Sequence, residues 1–197
     1  MARTRRRGPK DSETRMQLID AAQEIIGQDG INALTTGRVA EKVGLARQIF
    51  HYYFESVDDL LSAIIRQNGD KLIEDLETQL NSGSPLSAVL DDKGMVTGSV
   101  ASLEIIGFSL GRPLLRAEIS RFTDAFIRVQ AEAFQRHFDS SGIQPKVTPS
   151  SVVMMFSAVA QSIIMHTELQ VTTDQSDFLA LLNRLAKSYL ETGKLSA

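Results

Sequence analysis

Apolar residues recur at the helical spacing i, i+3, i+4, i+7 along almost the whole of this 197-residue chain, and no segment reads convincingly as a strand. That pattern predicts an all-α fold. The first buried stripe is Leu18, Ile19, Ala22, Ile25 and Ile26, stopped by Gly27 and Gly30. Thr35 is placed to cap a second helix in which Val39, Ala40 and Val43 face inward, and Gly44 breaks it after about two turns. A third short helix, Ala46 to Tyr53, exposes Arg47, Gln48 and His51, while Ile49, Phe50 and Phe54 supply apolar bulk. Ser56 with Asp59 resembles a capping box with Asp in place of Glu. Behind it Leu60, Leu61, Ile64, Ile65, Leu72, Ile73, Leu76 and Leu80 extend a long fourth helix.

The turns Asn81 to Pro85 and Gly111-Arg112-Pro113 each place Pro where a helix begins. They predict short helices over 85–92 and 94–108 and a long one from Pro113 to Phe138, followed by a loop over 140–149. Pro149 starts a helix to about Leu169, and Thr173 or Asp174 caps a last one that ends at Gly193. The longest stretch without a charged residue, Val147 to Thr167, is interrupted by Ser157, Gln161 and Ser162, so it reads as a buried helix rather than a membrane span.

Charge is uneven along the chain. The net charge is −3, yet residues 1–54 carry 9 basic against 6 acidic groups. Arg3, Arg5, Arg6, Arg7 and Lys10 crowd the first ten residues with no acid among them. A basic end on an acidic protein suggests a local polyanion site; a solvated tail is the plainer reading. The absence of cysteine excludes a disulfide scaffold, thiolate metal sites and thiol chemistry, and points to the cytoplasm. His51, His137 and His166 are isolated, and no HExxH, GxSxG, phosphate-cradling glycine loop or metal-ligand spacing is present. Neither catalysis nor a cofactor is expected.

Two short helices joined by a tight Gly turn, the second presenting Arg, Gln and His, have the geometry that sets one helix into the DNA major groove. Arg47 can pair in bidentate fashion with guanine O6 and N7, and Gln48 with adenine N6 and N7; His51 lies one turn on. The block Arg15, Leu18, Ile19, Ala21, Ala22, Ile25, Ile26, Gly30, Thr35, Val39, Ala40, Glu41, Gly44, Leu45, Phe50, Phe54, Ser56, Asp58, Asp59 and Leu60 resembles the opening domain of the tetracycline-repressor (TetR) family of bacterial regulators. Three positions depart from that pattern: Ala46 stands where Ser usually caps the third helix, His51 where Tyr is usual and Val57 where a Lys commonly reaches a phosphate; Gly37 is an odd choice inside a short helix. The resemblance implies that Arg47, Gln48 and His51 face bases and that Thr35, Thr36, Tyr52 and Tyr53 face the backbone. Arg3, Arg5, Arg6 and Arg7 could enter a neighbouring minor groove or touch only phosphates.

The expected organisation is a flexible basic arm over 1–12, a helix-turn-helix domain over 13–56 and a helical effector-binding and dimerisation domain over 57–197. The 149–169 helix is apolar all round, so a second surface must cover it; a symmetry mate is the simplest one, with Phe156, Val159, Ile163, Leu182, Leu185 and Tyr189 as interface candidates. By resemblance, the middle helices would enclose a small apolar or aromatic effector among Met95, Ser99, Leu103, Phe108, Phe122, Phe126 and Met155. The whole then reads as a repressor that binds a palindromic operator as a homodimer and is released by the effector. A helical protein-protein adaptor and a ligand-independent DNA-binding regulator are the alternatives.

Overall fold

The computed structural model describes residue 9 and residues 12–82, 100–174 and 176–196. The arm residues Arg3, Arg5, Arg6 and Arg7, the predicted helix over 85–92, Met95 and Ser99 lie outside the described residues, as does the side chain of Leu103. Among the described residues there is no strand, and there are eight α-helices. They are α1 (Glu13–Asp29), α2 (Thr36–Lys42), α3 (Arg47–Tyr53), α4 (Val57–Ser82), α5 (Val100–Ser109), α6 (Pro113–Ser141), α7 (Pro149–Glu168) and α8 (Ser176–Thr192). The chain packs as two compact units, one of residues 1–69 and 108–119, the other of 70–107 and 120–197.

The first unit is built around α1. Ser12, a cap the apolar stripe did not reveal, accepts a hydrogen bond from the Arg15 N–H at 3.3 Å. Leu18, Ile19, Ala21, Ala22 and Ile25 are buried, and Gly30 closes the helix at φ +79° by donating its N–H to the Ile26 carbonyl. A single 3-10 turn, Ile31–Ala33, leads to Thr35, whose hydroxyl accepts from the Arg38 N–H at 3.2 Å to cap α2. Gly44 takes the left-handed conformation at φ +69°. Its N–H donates to the Glu41 carbonyl while that of Leu45 reaches the Ala40 carbonyl, so both last-turn carbonyls are satisfied at 2.9 Å. This terminator sets the four-residue turn, Val43 to Ala46, between α2 and α3.

The unit extends beyond the 13–56 block. Ser56 accepts from the Asp59 N–H at 3.1 Å, and the Asp59 carboxylate accepts from the Glu55 N–H at 3.0 Å, a reciprocal pairing of the capping-box kind. Leu60, Leu61 and Ile64 on α4 are buried, and so is Leu115 on α6. Arg112 pairs with Asp58 at 3.3 Å, and Arg66 pairs with Glu118, whose burial is tolerable because its charge is matched.

The second unit has two apolar clusters. Leu76 and Leu80 of α4 meet Val129 and Ala133 of α6, with Ile73 and Phe126 at the margin. Phe134 and Phe138 of α6 pack with Val152, Val153 and Phe156 of α7 and with Leu182, Ala186, Tyr189 and Leu190 of α8. Each Val, Leu or Phe side chain among them, fully buried, contributes about 1.5–3 kcal/mol. α7 starts at Pro149 as expected, with Thr148 as its cap, and the Asp174 carboxylate accepts from the Ser176 N–H, which holds it below the ordinary carboxylate range. Tyr189 is sealed in the cluster, where desolvation pushes its phenol up to about 12 while its hydroxyl donates to the Val147 carbonyl at 2.8 Å. His137 donates from Nε2 to the Leu190 carbonyl at 3.1 Å, a structural bond.

The expectation of a buried helix over Val147 to Thr167 needs correcting. By length and composition Pro149–Thr167 is long and apolar enough to cross a membrane, its three polar interruptions notwithstanding. Among the described residues of α7, Val152, Val153 and Phe156 are buried, whereas Met154 and Met165 are 57% and 42% exposed.

Gly193, just beyond α8, sits at φ +69°, and a Cβ there would lie 2.7 Å from the Pro145 Cα and 3.1 Å from the Gln144 carbonyl oxygen. Gly193→Ala therefore combines left-handed strain, about 1–2 kcal/mol, with a backbone overlap that no rotamer relieves. At about 2–4 °C per kcal/mol, a total of roughly 2–3 kcal/mol lowers the melting temperature by roughly 4–12 °C. An unchanged melting curve would mean that the 143–147 loop does not pack there.

Candidate nucleic-acid interface

α3 is too short to stand alone. Phe50, fully buried, and Phe54, 2% exposed, pin it to the first unit, and the Arg15 guanidinium lies 4.9 Å from the Phe54 ring centroid. The opposite face is exposed through Arg47, Gln48, His51 and Tyr52. Ile49 belongs to this face as well. It was expected to supply inward bulk, but it is 38% exposed, because a seven-residue helix that buries Phe50 turns its neighbour outward.

Arg47 is positioned by a neutral partner. Its Nε donates to the Thr36 hydroxyl at 3.0 Å, which leaves the guanidinium charge uncompensated by that contact. The cations of α2 are employed otherwise: Arg38 pairs with Asp29 at 2.6 Å and donates to the Ala33 carbonyl, and Lys42 pairs with Glu24 at 2.8 Å. Thr35 is used as the α2 cap, and Thr36 accepts from Arg47. Of the two tyrosines, Tyr52 is 48% exposed and Tyr53 half-buried, with their rings edge to face at 5.0 Å. Ala46 provides no side-chain cap, so the first N–H groups of α3 have no side-chain acceptor from that position. Gly37 faces open space: a side chain there would meet nothing within 4 Å, so packing does not explain it.

The effector candidates separate. Phe108 lies in the first unit, where the Arg112 guanidinium covers its ring at 3.5 Å from the centroid. Phe122 and Phe126 lie in the second unit, with ring centroids 5.9 Å apart and both half-buried. Met155 packs against the Phe134–Tyr189 cluster. The interface candidates separate too. Phe156, Leu182 and Tyr189 are core residues of the second unit, and Val159 and Ile163 pack partly against them, while Leu185 is half-buried. The outward apolar side chains of this unit are instead Met154, Met165, Leu169, Val171, Phe178 and Leu179. The two classes look alike in sequence because both are apolar and helical.

Residues 18–64 match the family profile described as bacterial regulatory proteins, tetR family. The chain is 39% identical over 61 residues to the HTH-type transcriptional regulator BetI of Rhizobium meliloti (strain 1021), a match covering 31% of this chain and 30% of that protein. The chain thus spans about a third of the length of the curated relatives it matches. Among solved structures, a putative transcriptional regulator from Saccharomonospora viridis in complex with choline superposes with a TM-score of 0.69 at 16% identity, covering 95% of this chain and 100% of that one. The transcriptional regulator FadR of Bacillus subtilis in complex with stearoyl-CoA gives 0.62 at 19% identity, covering 90% and 98%. These last two likenesses establish the shared all-α fold. These curated relatives carry the names of transcriptional or metabolic regulators. The helix-turn-helix segment supplies the match: over residues 18–64 the chain is similar to the tetR family of bacterial regulatory proteins.

Proposed function

We propose that this protein is a DNA-binding transcriptional repressor, working in the cytoplasm as a homodimer on a palindromic operator and released by a small effector held in its second unit. The observation that carries this reading is α3. A helix pinned by buried Phe50 and Phe54 presents Arg47, Gln48, His51 and Tyr52 together on its open face. Arg47 reads guanine, Gln48 reads adenine, and exposed Ile49 offers an apolar contact to a thymine methyl group. Tyr52 and the arm arginines meet the backbone.

One recognition helix reads one half-site, so a palindrome needs two copies. A second copy of this chain covers Met154, Met165, Leu169, Val171, Phe178 and Leu179, which a lone protomer leaves in water. The effector reading draws support from fold neighbours in complex with stearoyl-CoA and with choline. Those two ligands differ in chemistry, so they favour a small molecule without choosing one. Coupling of about 1–3 kcal/mol between effector and operator suffices for release.

Arg47→Ala tests the reading. Removing a bidentate interaction with a base costs about 1–3 kcal/mol, roughly 5- to 150-fold in affinity for the cognate duplex, and relaxes the preference at one base pair per half-site. Fluorescence anisotropy on cognate and scrambled duplexes measures both. Equal losses on the two duplexes would make Arg47 a phosphate anchor.

A further inference from the structure

Gln130 is an anomaly in the second unit. It is 4% exposed, it lies in the middle of α6, and among the described residues its Nε2 has no hydrogen-bond partner. A desolvated amide N–H left unpaired opposes folding, so its retention calls for an acceptor beyond the described residues, and a bound ligand is one that can supply it. On the surface of α6 it lies between the stripe of Val129 and Ala133, which belongs to one apolar cluster, and the stripe of Ile127 and Phe134, which belongs to the other. Phe126 is one turn before it and stands against Phe122. The charged residues nearest in sequence, Arg128 and Glu132, are exposed and bridge each other at 3.3 Å, so neither balances a charge beside Gln130.

We propose that Gln130 is the polar anchor of the effector site, donating from its side-chain amide to the uncharged carbonyl oxygen of an otherwise apolar aromatic or acyl ligand bound beside Phe126. The neutral donor selects a neutral acceptor: a carboxylate would need a buried cation here, and a hydrocarbon would leave the N–H unpaired. Selectivity arises because such a site penalises an analogue that lacks the acceptor. This inference rests on the effector reading above, and the test separates the two.

The probes are matched pairs in which a carbonyl replaces a methylene: acetophenone and ethylbenzene, butyrophenone and butylbenzene, octanophenone and octylbenzene. Affinities for the full-length protein come from two-dimensional NMR titration, with the Gln130 side-chain amide assigned by its disappearance in Gln130→Met. At least one ketone binds tenfold or more tighter than its hydrocarbon and moves the Gln130 amide signal. In Gln130→Met the preference falls to within about twofold while the hydrocarbon still binds. Ligand-free Gln130→Met also melts above the wild type, because it no longer buries an orphan donor; a lower melting temperature shows that partners within the fold hold Gln130, and overturns the proposal. So does the absence of any carbonyl preference across the series, or its survival in the variant. Operator release followed by anisotropy decides the other reading. A Gln130-dependent ketone that leaves the operator bound sustains the site and refutes the effector role, whereas ketones and hydrocarbons that release operator equally well sustain the role and refute Gln130.

Discussion

Met154→Glu combined with Met165→Glu yields a folded monomer that binds operator DNA with the affinity of a single half-site. The two methionines are eleven residues, three turns, apart on α7 and therefore share a flank. They are 57% and 42% exposed in the protomer, so two carboxylates there remain hydrated and leave the Phe134–Tyr189 cluster untouched. In a dimer closed over this flank the same carboxylates are buried without partners. An uncompensated buried charge costs about 3–5 kcal/mol, which weakens self-association at least about 100-fold. Sedimentation equilibrium reads the mass and circular dichroism confirms the helices. A variant that stays dimeric would place the interface elsewhere.

The second large effect concerns salt. Deleting residues 2–7 removes Arg3, Arg5, Arg6 and Arg7 from each subunit. Arginines that neutralise phosphates release counterions, and the slope of log affinity against log salt falls by about 0.9 for each phosphate no longer neutralised. The deletion therefore flattens the slope by up to about 3.6 per subunit, and it weakens cognate and scrambled duplexes together, unlike Arg47→Ala. An unchanged slope would return the arm to the status of a solvated tail.

Helix positions were legible in the sequence wherever local chemistry decides them. Gly44 could end α2 because a left-handed residue was required there, Thr35 announced the start of α2 as a side-chain acceptor before an apolar run, and Pro149 announced the start of α7. The exposed Arg47, Gln48 and His51 of α3 were legible for the same reason. What the sequence concealed was set by packing at a distance. Seven residues span two turns, too few for a period to assign Ile49 a side. Phe156, Leu182 and Tyr189 have the same apolar character as Met154 and Phe178, and only the fold decides which group the protomer buries. Glu118 looks like any exposed helix carboxylate until Arg66, 52 residues away, is brought beside it. Gln130 is equally ordinary in sequence, and its significance comes from burial.

The central claim is that α3 reads bases in a two-fold symmetric site, and selection of bound duplexes from a random pool tests it most directly. The predicted result is a palindromic consensus with half-site centres about 10 base pairs, or a multiple of that, apart. Selection with Arg47→Ala then returns the same site with one relaxed base pair in each half. A pool that gains no consensus, or a consensus without two-fold symmetry, would contradict the account.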